Sequence, residues 1–481
     1  MRQRGGTDRR RRTLVIAAAM LGVLVAASAP AVAQDAPSAL VLLDRDGLRL
    51  TGTLEGTAAG LAHAGVWYGL ARQFGGAGFA DRRVWGEFAV APGMEAVWQA
   101  APDFALYGGL SVLAAGTLGR DAYDSGNRGA VLPENAYVGL RTTNPEGVWN
   151  LDISGGAQRY QVGTGMLIFQ GAGNGFSRGA VATLPRRAFG NTAILRASRG
   201  GFSAEAFWLD ANEVPGSDTH TELAGGVVQY RWDPGTRVGF SGFQAIRSTA
   251  VYPVAPAGLL EDAREGLVTW HGFGELDATR IGLPGASVRG EFALQRNDRI
   301  NLEAHAWFAE VAYRFASLPW MPRLSYGYAT FTGDDPGTRR IERFDPLFYG
   351  NGLDNWFFGA GGGYTVLNSN LDVHRVALDL VASERDFIKL LYLRLAANRT
   401  NSPIQFGQAT QISADGGSLF LSSGVPTPHL ADEVYAQWTR MLTPQVALTV
   451  WGSLAFPGAG LKAVGGDQTW QSAGLTLSVR F

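Results

Sequence analysis

Between Ser472 and Phe481 the chain changes character at nearly every step. Ala473, Leu475, Leu477, Val479 and Phe481 fall on one face, and Ser472, Thr476, Ser478 and Arg480 on the other. A period of two is that of a β-strand, whose successive side chains point to opposite faces. The same period recurs upstream. Val228, Tyr230 and Trp232 oppose Gln229 and Arg231; Val288, Phe292 and Leu294 oppose Arg289, Glu291 and Gln295. Trp307, Val311, Tyr313 and Phe315 oppose Glu310 and Arg314, and Leu324, Tyr326 and Tyr328 oppose Arg323 and Ser325. Val376, Leu378 and Leu380 oppose Arg375 and Asp379, while Leu391, Leu393 and Leu395 oppose Tyr392 and Arg394. Strands of this kind cross a bilayer only if the sheet closes, because lipid offers no partner to an unpaired backbone group. The expected fold class is all-β: a single transmembrane antiparallel β-barrel, apolar phase to lipid and polar phase to the lumen. A soluble sandwich also alternates, but it lacks the two chain ends described next.

The N-terminus reads as a secretory signal peptide over residues 1–33. Arg2, Arg4 and Arg9 to Arg12 form a basic region, an apolar stretch follows, and Ala31-Val32-Ala33 is a small-x-small cleavage site. The terminal aromatic on the apolar face is similar to the assembly signal of outer-membrane barrels, so Phe481 is expected to engage the barrel assembly machinery. Residues 34–481 then form one barrel domain amid outer-membrane lipid and lipopolysaccharide. Beyond the signal no run reaches 18 apolar residues, so a spanning helix is not available. Short turns at 233–235 and 442–444 alternate with long connections at 249–265, 332–355 and 400–431, the usual asymmetry of periplasmic turns and outer loops. At about 25 residues per strand and connection, the chain holds on the order of 18 strands. Processing removes six arginines and one aspartate and leaves a formal charge of −6. This balance argues against a nucleic-acid partner. The absence of cysteine rules out disulfides and thiolate metal sites.

One block is more specific. Thr332-Gly333-Asp334-Asp335-Pro336, then Arg343-Phe344-Asp345-Pro346-Leu347-Phe348, then Asn370-Leu371 resembles the alginate export family. Gln158-Arg159-Tyr160 with Gly163-Thr164-Gly165, and Leu430 to Val434 with Phe456-Pro457-Gly458, are similar to further segments of that family, with Glu433 at its acidic position. The resemblance implies an 18-stranded barrel that conducts an anionic exopolysaccharide through an arginine-lined lumen. It also implies that Asp334, Asp335, Phe344 and Asp345 belong to a fold-back that partly occludes the pore. A periplasmic export partner is left open.

All but two of the 41 basic residues are arginine, the exceptions being Lys389 and Lys462. Guanidinium is planar, permanently charged and bidentate towards carboxylates. The polar phases therefore nominate Arg231, Arg237, Arg289, Arg314, Arg323, Arg375 and Arg394 as pore-lining residues, with Glu291, Glu310 and Asp379 beside them. The competing reading is that these charges pair in a structural ladder filling the barrel. Uptake of small anions or sugars is the alternative function on the same architecture. Gly175-Phe176-Ser177-Arg178-Gly179 has the form of a nucleophile elbow but lies in a glycine-rich loop rather than a strand-turn-helix. No Ser/His or Asp/His set at a barrel rim stands out, so no enzyme, metal site or cofactor is expected. Asp334, Asp335, Glu342, Asp345 and Asp354 lack the spacing of a calcium loop. Trp67, Trp85, Trp98, Trp232, Trp270, Trp307 and Trp451 are read as interfacial girdle residues.

Overall fold

The computed structural model describes residues 40–70, 79–145, 147–255, 258–350, 356, 358–359, 366–406 and 419–481. The signal segment 1–33 and Asp354 lie outside these residues. Eighteen antiparallel strands form one closed sheet, from Leu48–Ala64 to Trp470–Arg480. Each pairs with its neighbour in sequence, and the ring closes where Glu55–Ala64 meets Gln471–Arg480. A nineteenth short strand, Val41–Arg45, pairs with residues 48–51, below the end of the closing strand. Closure also uses Phe481, whose N–H donates to Leu54 O at 2.9 Å and whose carbonyl accepts from Leu54 N–H at 3.2 Å. With its edges joined, the sheet leaves no row of unpaired backbone groups facing lipid.

The connections divide as the sequence implies. One end carries tight turns such as 234–235 and 444–445, and the other carries the long connections that begin at 158, 332 and 397, described over 158–190, 332–350, 356, 358–359, 366–370, 397–406 and 419–428. The helix Ala459–Ala463 is five residues long. None of the described helices is long and apolar enough to cross a membrane. The outward phase is a continuous apolar band that includes Val84, Val138, Phe240, Val311 and Leu475. An 18-stranded bore is too wide for wall side chains to fill. Here the long connections fold into it and build an apolar core with the upper wall, including Ile168, Phe189, Phe344, Phe348 and Trp356.

That inner core reverses one strand. In Asp386–Ala396 the buried positions are Leu391, Leu393 and Leu395, and the exposed ones are Leu390, Tyr392 and Arg394. Arg394 therefore faces outward and does not line the pore. The inner face needs leucine there because apolar loops cover it, while the outward positions approach the long-loop end of the barrel. The girdle reading is corrected likewise. Trp98, Trp232, Trp270 and Trp307 face outward, but Trp67 and Trp85 are buried inside and Trp451 shares the inward phase of Ser453 and Ala455. Trp85 lies in phase with Glu87, to which its Nε1–H donates at 3.0 Å.

The facing of the closing strand has a direct test. Leu475→Arg, at the middle of the lipid phase, is expected to lower the unfolding free energy in phospholipid vesicles by about 2–4 kcal/mol. Thr476→Arg, one residue along and facing the lumen, is expected to cost less than about 1 kcal/mol. Equal costs in denaturant titrations would place the strand in the wrong phase.

Candidate functional site

Residues 158–190 leave the rim and cross the bore. An inward loop brings backbone N–H groups that its own fold does not satisfy, and burial makes each of these costly. Wall carboxylates supply the acceptors. Glu87 accepts from the N–H of Ala182 at 3.1 Å and of Thr183 at 2.9 Å. Glu134 accepts from Arg187 N–H at 2.9 Å and Ala188 N–H at 3.1 Å. Across the bore, Glu291 accepts from Thr164 N–H at 2.6 Å and lies 2.8 Å from His271 Nε2. Gly163 sits at φ +58°, and a Cβ there would crowd both Glu291 oxygens at 3.0 Å, so the close approach requires glycine. Glu55 holds the loop by its side chain, accepting from Arg159 at 2.7 and 3.1 Å.

The second inward segment is described over 332–350, 356, 358–359 and 366–370. Asp334 accepts from the N–H groups of Glu342 and Arg343, both at 2.9 Å, and Asp335 accepts from Gly337 N–H at 2.8 Å. These two residues shape the half-buried base of the loop. Phe344 is buried against Phe331, with ring centroids 5.8 Å apart. Asp345 is the anchor. It receives Arg264 Nε at 2.7 Å and Nη2 at 3.0 Å, the hydroxyl of Tyr252, and Leu347 N–H at 2.8 Å. Its own N–H and carbonyl bond the side chain of Gln295 on the barrel wall at 2.8 and 2.6 Å. Burial works against the Arg264 charge, but the Asp345 carboxylate outweighs it and pushes the guanidinium pKa up. Burial, reinforced by the same carboxylate, raises the Tyr252 phenol. The two loops meet inside the barrel, where Ile168 and Phe348 form a parallel bridge. Phe348 N–H donates to Leu167 O at 2.9 Å, and Phe169 N–H to Phe348 O at 2.8 Å.

In the short-turn half, charges run from strand to strand. Arg141 faces Asp152, Asp152 faces Arg196, and Arg196 faces Glu205. Further round, Arg237, Glu275, Arg289 and Glu310 face one another in turn. Buried Glu310 receives Arg289 at 2.9 Å, Arg323 at 3.0 Å and Arg375 at 2.7 Å. Asp379 receives Lys389 at 2.6 Å and Arg323 at 3.4 Å. Much of this wall is thus a paired ladder. Two places break the alternation: Arg231 lies directly opposite Arg237, and Arg314 directly opposite Arg323. Like charges in such positions repel. Among the described residues neither Arg231 nor Arg314 has a carboxylate within ion-pair distance, and Arg314 instead donates to Met321 O at 3.3 Å. Arg187, on the crossing loop, stacks on Phe169 at 5.1 Å. Burial and then neighbouring Arg159 lower its pKa to about 10, which leaves it cationic at neutral pH.

Six of the seven nominated arginines therefore face the bore, and three of them converge on Glu310. Of the nominated acids, Glu310 and Asp379 belong to the ladder, whereas Glu291 is a loop anchor. The sequence reading missed Glu55, Glu87, Glu134, Arg159 and Arg187. Glu87 and Glu134 take backbone groups, and Glu55 takes the Arg159 side chain, all far away in sequence, so no spacing announces them. Ser177 sits in a 3-10 turn, Phe176–Arg178, with no strand-turn-helix around it.

Asp345→Asn would leave Arg264 buried without its counter-charge. Breaking such a pair costs about 3–5 kcal/mol, and the cost should fall on the loops. Hydrogen exchange is expected to quicken over 344–348 and 252–264 while the strand Ala286–Asn297 keeps its protection. Uniform loss across strands would mean that the pair holds the barrel itself.

The family model for alginate export matches residues 283–473. This span covers the Asp345 anchor, the Glu310 hub and the strands from Ala286–Asn297 to the start of Trp470–Arg480. No curated protein sequence matches the chain. Among solved structures, OccAB1 of Acinetobacter baumannii is similar with a TM-score of 0.51 at 8% identity, covering 90% of this chain and 96% of that one. OpdL of Pseudomonas aeruginosa is similar with a TM-score of 0.50 at 9% identity, covering 90% and 98%. OpdK of the same organism, solved with vanillate, gives 0.50 at 9% identity over 89% and 98%. At such identities the likeness is one of fold. Closed sheet, apolar outer band and matching family model agree: this chain is an outer-membrane β-barrel channel that carries the alginate export signature over residues 283–473.

Proposed function

We propose that the channel passes an anionic exopolysaccharide, a polyuronate of the alginate type, along its arginine-bearing wall. The observation that carries this reading is the excess of guanidinium in the short-turn half, where Arg231 faces Arg237 and Arg314 faces Arg323. Such pairs weaken the sheet unless an anion comes between them. A ladder with nearby unneutralised cations lets a carboxylate move from one guanidinium to the next without being trapped at any of them. The family match, which spans the Arg314–Arg323 pair but not the strands of Arg231 and Arg237, supports the polymer as cargo. Transport is then diffusion, driven by polymer synthesis behind it, with no covalent step.

Uptake of small anions or sugars is a second reading. It is favoured by the bridge between Ile168 and Phe348, which narrows the bore.

Planar-bilayer recording separates the readings. Wild-type protein is expected to prefer chloride over potassium and to be blocked by added polyuronate. Arg231→Ser combined with Arg314→Ser should lower the permeability ratio about fivefold, the equivalent of about 1 kcal/mol of lost Coulomb attraction. A pore that favours cations and ignores polyuronate would overturn the polymer reading. Chloride preference with no polyuronate block would favour small-anion uptake.

A further inference from the structure

The bore is lined differently on its two sides. The ladder occupies the strands from Gly129–Thr142 to Asp386–Ala396. On the next three strands, His429–Thr443, Val446–Pro457 and Trp470–Arg480, the inward positions between Glu433 and Arg480 are uncharged. They form a connected polar track. Tyr435 Oη donates to Gln437 Oε1 at 2.7 Å, Gln437 Nε2 donates to Thr439 Oγ1 at 3.1 Å, and the Thr439 and Thr449 hydroxyls lie 3.1 Å apart.

Trp451 stands beside this track. It pairs across the strands with Gly474, and a Cβ on that glycine would collide with Cε2 and Nε1 of the indole. The ring therefore lies over Gly474 on the inward side of the wall, half-buried, with His63 edge-on at 6.3 Å. Tyr435 packs alongside, with ring centroids 5.9 Å apart and planes 26° apart. Tyr107 and Phe273 also lie over cross-strand glycines, Gly139 and Gly239, but guanidinium groups cover them: Arg141 at 5.2 Å and Arg237 at 5.5 Å. Among the described residues no guanidinium covers Trp451, and its Nε1–H makes no hydrogen bond there. In the order of strands round the ring, Trp451 lies nine strands from Arg231, half-way round an eighteen-stranded barrel.

We propose that Trp451, with the Gln437–Thr439–Thr449 track, is a sugar-ring platform. The indole stacks on the apolar face of a pyranose, and the amide and hydroxyl groups exchange hydrogen bonds with its hydroxyls. The inference rests on the polyuronate reading and deepens it: a uronate residue carries both a ring face and a carboxylate, and the bore offers a separate wall for each. A half-buried indole beside an uncharged polar track, with no guanidinium over its ring and its N–H unpaired among the described residues, is the element of a binding site that an apolar filler would not need.

The test is single-channel recording on the full barrel with oligomannuronate and, separately, maltohexaose. Trp451→Ala is expected to shorten the dwell time of blocking events about tenfold, while Trp451→Phe stays within about threefold. Trp451→Leu, which still covers Gly474 but lacks a flat π-face, should behave as the alanine variant, with unchanged chloride selectivity and heat-modifiable gel migration. Unchanged oligomannuronate dwell times in both the Ala and Leu variants overturn the platform and leave the polyuronate channel standing. Block by maltohexaose alone, shortened in Trp451→Ala, keeps the platform and overturns the polyuronate cargo. Absence of block by either sugar in wild type overturns both.

Discussion

Everything in this molecule follows from the rule that no backbone amide may be left bare in lipid. The rule forces the strands Leu48–Ala64 and Trp470–Arg480 together and makes the sheet a cylinder. A cylinder of eighteen strands encloses more space than its side chains can fill. The long connections enter that space, and each brings unpaired amides of its own. The wall answers with carboxylates: Glu87, Glu134 and Glu291 accept from loop N–H groups, and Glu55 grips Arg159. The same demand, met first by closure, is met a second time by acidic side chains.

This use of acid resolves a tension in the composition. A chain with 42 acidic residues against 41 basic ones is a poor host for a cationic bore on composition alone. Several of its carboxylates are committed to holding loops, and Glu310 and Asp379 are shared among several cations. Net charge therefore says little about the lumen. What matters is where alternation fails, as at Arg231 opposite Arg237 and Arg314 opposite Arg323.

The strand pattern was legible to the extent that one face met lipid. Arg231, Arg237, Arg289, Arg314, Arg323 and Arg375 all lie in the polar phase and point inward, as alternation implies. The inference failed where the inside is also apolar. Leu393 and Leu395 pack against inward loops, so apolar no longer means lipid-facing, and Arg394 came out on the wrong side. Trp67, Trp85 and Trp451 were misplaced for a related reason, since an aromatic suits an interior core or a bore wall as well as a membrane interface. The crossing loop 158–190 carried no periodicity. Its partners lie on distant strands, as with Arg159 and Glu55, 104 positions apart. The Asp345 anchor was legible only through its family motif, because nothing near it in sequence points to Arg264, 81 positions away.

The way the ring closes also bears on the order in which the molecule can be built. Strand pairs such as Ala286–Asn297 with Leu302–Arg314 join neighbours separated by a few residues. The closing pair joins Glu55 to Arg480, and nearly the whole chain lies between them. Contacts of such separation carry the largest loop-closure cost, so ring closure is expected to follow the local hairpins. Until then the sheet is open, and the first and last strands each expose an edge. The anchors that span the bore depend on curvature that an open sheet does not yet have. The tight grip on the two inward loops is thus a late event: the wall must become a ring before it can hold what fills it.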